Sequence, residues 1–290
     1  MITLLHASDI HFGEPHLPEV ARAFLAFAHE LAPDVVVISG DLTQRAKVGE
    51  FQEAAAFLQE LPDVPLVVTP GNHDIPLYRV WERLTDPFGN YRAHIRDELD
   101  TVTRIPGMIV VALNSASPYT AIVNGRIGGD QLDLARAAFA SGDPADVKVL
   151  VAHHHLAPAP DYEGDNPLPR AREILDELTS MGVELVLGGH LHRAYIVNSL
   201  DVRPGRQRDQ GVVIVHSGTT TSARGRARER LKNSLNVIRV SDRFLDVSHH
   251  LHHSDRGEFA PLSRHLFPRR PAALLPEELT LPFCPDEARQ

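Results

Sequence analysis

Residues 66–74 read "LVVTPGNHD", a short apolar run followed by a glycine, an amide, an imidazole and a carboxylate. Glycine and asparagine both favour left-handed backbone conformations, so these four residues could form an ordinary turn at the end of a strand. A functional interpretation requires partners elsewhere in the chain for the Asn72 amide oxygen and the His73 imidazole. The ends of the other apolar runs supply such partners.

Five apolar segments of the chain end in chemically versatile side chains. These endings are Asp9-Ile10-His11, Gly40-Asp41, Gly71-Asn72-His73-Asp74, His153-His154-His155 and Gly189-His190-Leu191-His192. In open α/β sheets, ligands bind beyond the carboxyl ends of the strands. A single aspartate at a strand end is usually a capping residue, but five such endings together predict one shared site.

The hydrophobic pattern predicts an α/β fold. Apolar runs alternate with segments of helical period, which indicates a layered sheet with helices outside. The predicted strands are 4–9, 35–38, 66–69, 109–113, 147–152 and 184–187, and the predicted helices are 20–31, 51–58, 131–139 and 170–181. After Gly189, strands at 195–197, 211–215, 235–240 and 244–247 follow without long helices, so the second half should add antiparallel strands.

The side chains at the strand ends have the chemistry of a metal site. Carboxylate, amide and imidazole ligands without thiolate suit Mn, Fe or Zn. Seven ligands are too many for one tetrahedral ion, but they suit two ions that share a bridging carboxylate. Alternate residues of an extended segment point the same way, so Asp9 and His11 can contact one ion.

The five endings resemble the motifs of the calcineurin-like metallophosphoesterase superfamily. Its pattern of D-x-H, G-D-x, G-N-H-[DE], H and G-H-x-H reads here DIH, GDL, GNHD, HHH and GHLH, and the resemblance covers about residues 2–240. It implies a four-layer αββα sandwich of two mixed β-sheets flanked by helices. It also implies a first metal held by Asp9, His11 and His192, a bridging Asp41, and a second metal held by Asn72, His153 and His190. The fourth motif departs from the family's "HHP"-like stretch, so His154 stays open as an alternative ligand to His153.

Such a site predicts hydrolysis of a phosphoester. Two metals can polarise the phosphoryl oxygens and lower the pKa of a bridging water, which gives a hydroxide nucleophile. His73 follows the ligand Asn72 but points elsewhere, so it can stabilise the phosphoryl group or protonate the leaving alkoxide. We expect Asp74 to accept from the other ring nitrogen of His73 and fix its orientation.

Composition limits the partners. The formal charge of −9 argues against nucleic acid held by bulk electrostatics, without excluding it. The one cysteine and the absence of a basic, apolar leader or an apolar span predict a cytoplasmic protein with no membrane association. Self-association into a homo-oligomer is left open.

The substrate class rests on the resemblance. "LLHASDIHFG", "VISGDLTQ" and "TPGNHD" are most similar to the class III cyclic-nucleotide phosphodiesterase and glycerophosphodiesterase group, which implies a small phosphodiester such as a cyclic nucleotide. The alternatives are a phosphomonoesterase, a DNA nuclease of the SbcD type and a non-catalytic binding scaffold. No ligand of the motif is missing, which argues against the scaffold.

Other segments give weaker indications of a functional role. The arginines of "TTSARGRARERLK" (Arg224, Arg226, Arg228 and Arg230) could contact a phosphate, but a solvated loop is the preferred interpretation. Histidines 249, 250, 252 and 253 could form a third metal site, but an exposed edge strand is preferred. His16 is considered for the substrate entrance, and Asn114 and Ser115 for contacts behind the ligands. Residues 1–250 are predicted to form the catalytic domain, and residues 251–290 a C-terminal extension that is either packed on the domain or partly flexible.

Overall fold

A computed structural model describes residues 1–119, 124–160, 166–202 and 211–269. In chain order, its elements are β1 (Ile2–Ala7), α1 (Pro18–Leu31), β2 (Val35–Ile38), α2 (Val48–Gln59), β3 (Leu66–Val68), α3 (Val80–Thr85), α4 (Gly89–His94), β4 (Thr101–Ile105), β5 (Met108–Ala112), α5 (Gly129–Ala140), β6 (Val147–Val151), α6 (Ala171–Ser180), β7 (Leu185–Gly188), β8 (Tyr195–Asn198), α7 (Ser199–Val202), β9 (Val213–His216), β10 (Ser234–Val240), β11 (Phe244–His253) and β12 (Glu258–Pro268). Two short 3₁₀ turns cover Asn72–Asp74 and Ala227–Glu229.

The strands form two mixed sheets of six strands each. The first has the order β12-β11-β10-β1-β2-β3, and the second has the order β4-β5-β6-β7-β9-β8. In the first sheet β1, β2 and β3 are parallel, whereas β10 runs antiparallel to β1. In the second sheet β5, β6, β7 and β9 are parallel, and the two edge strands β4 and β8 are antiparallel to their neighbours.

Alternation along the strands builds the layers. In β1, Leu4 packs in an apolar cluster with residues of both sheets, such as Val37 of the first and Val110 of the second. The next residue, Leu5, lies in a different cluster with Phe24 of α1 and Phe51 of α2. A third cluster covers the second sheet with α5 and α6. Successive strand residues face opposite sides of a sheet. One set of alternate residues therefore packs against the other sheet, and the other set packs against the outer helices. The predicted four-layer α/β fold is confirmed.

The first sheet extends into the carboxyl-terminal segment. Strand β11 continues through residue 250, where the predicted catalytic domain ends, and β12 pairs with it from Glu258 to Pro268. Residues 251–253 and 258–268 are therefore part of the first sheet, joined by a turn, and residues 270–290 of the predicted extension lie outside the described residues. Strand β4 and the short helices α3, α4 and α7 were also not predicted. In the part of the chain that the structure describes, no helix combines the length and apolarity needed to cross a membrane.

Candidate metal centre

The seven predicted ligands follow strands of both sheets. Asp9 and His11 follow β1, Asp41 follows β2, and Asn72 begins the 3₁₀ turn after β3. The second sheet contributes the other three, because His153 follows β6 and His190 and His192 follow β7. The strands of each set run parallel, so their carboxyl ends bring these side chains to one end of the sandwich.

Five of these residues have a left-handed backbone. The φ angles lie between 53° and 72° at Asp9, His11, Asp41, His190 and His192. Residues other than glycine rarely adopt this conformation, and it costs on the order of 1–3 kcal/mol for each residue. The surrounding packing and hydrogen bonds therefore hold the backbone of the site in a strained arrangement.

Close backbone approach explains two glycines of the motifs. A Cβ at Gly71 would collide with the side chain and backbone of Asp41, and one at Gly189 would collide with Ser8 and Asp9. Glycine at these positions lets the loops from different strands come together over the cluster.

The first group of side chains is Asp9, His11, Asp41 and His192. All four are buried, and each offers a ligand atom within 4.8 Å of the others. His192 Nε2 lies 3.2 Å from Asp9 Oδ1 and 3.2 Å from His11 Nε2. His11 Nε2 lies 3.6 Å from Asp9 Oδ1 and 3.7 Å from Asp41 Oδ2. These distances suit ligands that surround one divalent cation.

The second group lies on the other side of Asp41. The Oδ1 atom of Asn72 is 3.2 Å from His153 Nε2 and 2.9 Å from His190 Nδ1. His153 Nε2 is also 3.4 Å from Asp41 Oδ2. The same carboxylate oxygen, Asp41 Oδ2, thus faces an imidazole of each group. The remaining oxygen, Asp41 Oδ1, accepts the His73 amide hydrogen at 2.8 Å.

Hydrogen bonds around the cluster indicate cation binding. His153 Nδ1 donates to the Ser39 carbonyl at 2.8 Å, and His192 Nδ1 donates to the Arg224 carbonyl at 3.0 Å. When both rings are neutral, as ligands of a cation are, the Nε2 atoms then carry lone pairs directed at the acceptor oxygens of the cluster. Among the described residues, buried Asp9 Oδ1 and Asp41 Oδ2 have no hydrogen-bond donor. Lone pairs and carboxylate oxygens that face each other fit a divalent metal centre.

The electrostatics of the metal-free cluster are dominated by its two carboxylates. Burial opposes their ionisation, but the neighbouring imidazoles hold the pKa of Asp9 and of Asp41 well below its usual range. Burial also disfavours a charged His153, yet Asp41 outweighs it and raises the pKa of His153 to about 9. For His11, burial prevails and lowers the pKa to about 3. The carboxylates therefore stay ionised and attract positive charge.

The predicted role of Asp74 is wrong. Its carboxylate accepts from the backbone amides of Leu42, Thr43 and Gly71, at 3.1, 2.8 and 2.9 Å. The ring of His73 instead donates from Nδ1 to the Gln44 carbonyl at 3.0 Å. Asp74 thus fastens the loop after β2 to the loop after β3, and a main-chain carbonyl orients His73.

The three consecutive histidines divide between two environments. His153 faces Asp41 and Asn72, whereas His154 Nδ1 lies 2.8 Å from Ser115 Oγ. The His154 ring is 4.5 Å from the His190 ring, centroid to centroid, so it lies behind the second group. Ser115, which was considered for contacts behind the ligands, occupies that place.

The arginine segment contributes more than a solvated loop. Arg224 is half-buried, its carbonyl holds His192, and its Nη1 donates to Gln44 Oε1 at 2.8 Å. Arg228 donates to the Ala194 carbonyl, and the Arg226 amide donates to the His192 carbonyl. The sequence contained the alternating arginines, but Gln44 carries no signal of its own, since its partners come from distant segments.

Two other interpretations can be compared with the structure. Strand β11 is covered by β12 and is not an edge strand, and His249 and His250 are buried. His249 Nδ1 donates to Asn236 Oδ1, so its place is structural. His16 stacks on Phe12 at 4.1 Å between ring centroids, and its Nδ1 lies 3.4 Å from the Ile10 carbonyl.

Comparison with known proteins agrees with the fold and with the family resemblance. The family model "calcineurin-like phosphoesterase" matches residues 2–194. A probable cyclic nucleotide phosphodiesterase of Synechococcus sp. is 30% identical over 180 residues, which cover 61% of this chain and 64% of that relative. The alignment therefore spans less than two thirds of the relative's length.

Solved structures share the architecture. A purple acid phosphatase from yellow lupin (Lupinus luteus) superposes with a TM-score of 0.67 at 13% identity, over 90% of this chain and 52% of that chain. A dimetal phosphatase from Danio rerio gives 0.62 at 11% identity, over 93% and 99%. At these identities the likeness shows the fold alone. The family match covers most of the chain and confirms the resemblance in the five motifs: the chain belongs to the calcineurin-like phosphoesterase family.

Proposed function

We propose that this protein hydrolyses small phosphodiesters with two divalent cations. Asp9, His11 and His192 would hold one cation, and Asn72, His153 and His190 would hold the other. Asp41 would join the two. The observation that carries the proposal is the position of Asp41 Oδ2, which lies 3.7 Å from His11 Nε2 and 3.4 Å from His153 Nε2.

The protein's own groups have distinct tasks in this reaction. When bound, two such cations polarise phosphoryl oxygens and make water acidic enough to attack at neutral pH. His73 would stabilise the phosphoryl group or protonate the leaving oxygen through Nε2, because Gln44 engages its Nδ1. The His73 ring lies 4.9 Å from the His11 ring, between centroids, which places it beside the first group.

A diester substrate is supported by two observations. The relative in Synechococcus sp. is described as a probable cyclic nucleotide phosphodiesterase. The net charge of −9 favours a small substrate over a long nucleic acid. The ligand chemistry accommodates Mn, Fe or Zn. A cytoplasmic location is part of the proposal and rests on the single cysteine.

Turnover of bis-p-nitrophenyl phosphate tests this function. The purified chain, loaded separately with Mn, Fe and Zn, should hydrolyse it with a kcat/KM clearly above that for p-nitrophenyl phosphate at the same pH. A diester carries one charge and needs room for a second organic group, whereas a monoester site supplies extra cations for a dianion. The reverse preference would identify a phosphomonoesterase.

Further substrates separate the other classes. Cyclic AMP and plasmid DNA, assayed on the same metal-loaded preparation, distinguish a cyclic-nucleotide phosphodiesterase from a nuclease. Absence of turnover on every substrate, with both metals bound, would favour a binding scaffold.

A further inference from the structure

A groove of about 510 Å³ adjoins the metal centre on the side of His73. Gln44 connects the two: its carbonyl accepts a hydrogen bond from His73 Nδ1 beside the metal centre, and the same residue lines the groove. The other lining residues are Glu14, Pro15, Arg45, Lys47, Glu50 and Arg224. Three positively charged side chains thus line one groove of a chain whose net charge is −9.

Arg224 stands where the groove meets the metal centre. Its guanidinium interacts electrostatically with Asp41 and Asp9, and also with the neighbouring cationic side chains Arg226 and Arg45. The hydrogen bond from Nη1 to Gln44 Oε1 restrains the side chain. A half-buried, restrained guanidinium loses less freedom when it binds an anion, and its planar shape matches a phosphate.

The groove is lined by three positively charged and two negatively charged side chains, so positive charge is in the majority. Glu50 Oε2 already accepts from the backbone amides of Arg45 and Lys47, at 2.7 and 3.3 Å. The Arg45 guanidinium lies 4.9 Å from the centre of the Tyr78 ring, a cation–π contact that fixes its direction without cancelling its charge. Glu14 is exposed.

We propose that this groove is a subsite for a second anionic group, carried by the alcohol that leaves the scissile phosphorus. The inference rests on the proposed function. Water adds its oxygen to phosphorus and releases a proton, the phosphorus–oxygen bond to the alcohol breaks, and the alcohol oxygen takes a proton from His73, which the proton released by the water replaces. The leaving alcohol must therefore lie on the side of His73, which is the side of the groove. The substrate class is a phosphodiester whose alcohol is itself phosphorylated, such as a nucleotide with a further phosphate.

Thymidine dinucleotides test the subsite. The probes are TpT and its forms with a terminal phosphate at the 5′ or the 3′ end, so that either direction of cleavage is covered. A phosphorylated form should have a kcat/KM about 10- to 100-fold above TpT, mainly through a lower KM, which is the range of a charged hydrogen bond. Arg224→Gln and Lys47→Gln should each reduce this ratio.

Arg172→Gln is the matched control, because Arg172 is exposed on α6 at the second sheet. This variant should keep the wild-type ratio of kcat/KM between the phosphorylated dinucleotide and TpT. Metal content is measured for every variant. Equal kcat/KM for all three dinucleotides, or a ratio unchanged by both groove variants, would overturn the subsite.

A binding measurement keeps the subsite separate from the proposed function. Calorimetric titration of the wild type with each dinucleotide should show tighter binding of a phosphorylated form, weakened about tenfold or more by Arg224→Gln. This result without any turnover would retain the subsite and reject the hydrolase. Turnover of bis-p-nitrophenyl phosphate without the binding difference would retain the hydrolase and reject the subsite.

Discussion

Asp41 connects the two halves of the metal centre through one oxygen atom. Replacing it with asparagine removes the charge that holds two cations together while nearly preserving the shape. In Asp41→Asn, metal content should fall toward one ion per chain, and hydrolysis should fall by at least about 100-fold, the upper range for residues that only support ligands. Elemental analysis and turnover on one preparation check this. Two ions with near-native turnover would contradict the shared bridge.

The role of His73 depends on the leaving group. An alkoxide or ribose oxygen needs a proton, whereas nitrophenolate does not, and general acid help is worth about 10²- to 10⁴-fold. His73→Gln should therefore keep both metals and lose far more activity on an alkyl or cyclic-nucleotide ester than on a nitrophenyl ester. An equal loss on both esters would show that His73 stabilises the phosphoryl group. Loss of metal would make it a ligand.

The left-handed backbone at His11, with φ of 53°, has a measurable cost. Glycine accepts this conformation and alanine does not, so metal-free His11→Gly should be more stable than His11→Ala by about 0.5–1 kcal/mol. Urea unfolding of both variants measures the difference. At His153, which lacks a positive φ, alanine should be the more stable of the same pair. Equal stabilities at residue 11 would remove the argument for strain.

The sequence identified the side chains of the site better than their hydrogen bonds. The candidate ligands could be recognised because each apolar run shows where a strand ends, and the polar side chains that follow it lie at the carboxyl end of that strand. The partner of His73 could not, because Gln44 offers a main-chain carbonyl, and every residue has one. Arg224 was underrated for a similar reason, since its contact with Gln44 joins segments 180 positions apart.

Among the elements, β12 completes the first sheet and has a buried anchor. Phe259 is 5% exposed, and its ring lies 6.4 Å from that of Phe24 and 6.0 Å from that of Phe27, between centroids. Phe259→Ala should cost about 3–5 kcal/mol of unfolding free energy. Leu262→Ala, on the same strand at 61% exposure, should stay within about 0.5 kcal/mol of the wild type. Urea denaturation measures both, and similar losses would contradict an anchoring role for Phe259.

Strands buried at every position were predictable, whereas the edge strands β4 and β12 were not. Strands β2, β5 and β7 are buried at every position and read as apolar runs. Strand β4 has no fully buried residue, so its signal is weak. In β12, Pro261 and a register shift opposite His249 and His250 interrupt the alternation. Proline is tolerated there because β12 is an edge strand.

For the whole molecule, cations at this site would connect the two sheets. A ligand of the folded state alone stabilises it by about 2.7 kcal/mol when present at a hundred times its dissociation constant. Chelation of the metals should therefore lower the melting temperature by several degrees, and re-addition should restore it. Asp41→Asn should show a smaller shift in the same calorimetric experiment. An unchanged melting temperature in the wild type would contradict metals that hold both sheets.

The pairing of β1 with β10 also determines how late in translation the first sheet can be completed. A ribosome makes β1 first, yet the neighbour on one of its sides begins only at Ser234. By then the segments that contain all seven proposed ligands, up to residue 192, have already been translated. Long-range pairing of this kind is slow to form and leaves strand edges exposed meanwhile. The nascent chain therefore carries a half-built first sheet through most of its synthesis, and the edge of β1 that pairs with β10 stays open to aggregation until Ser234–Val240 has been translated.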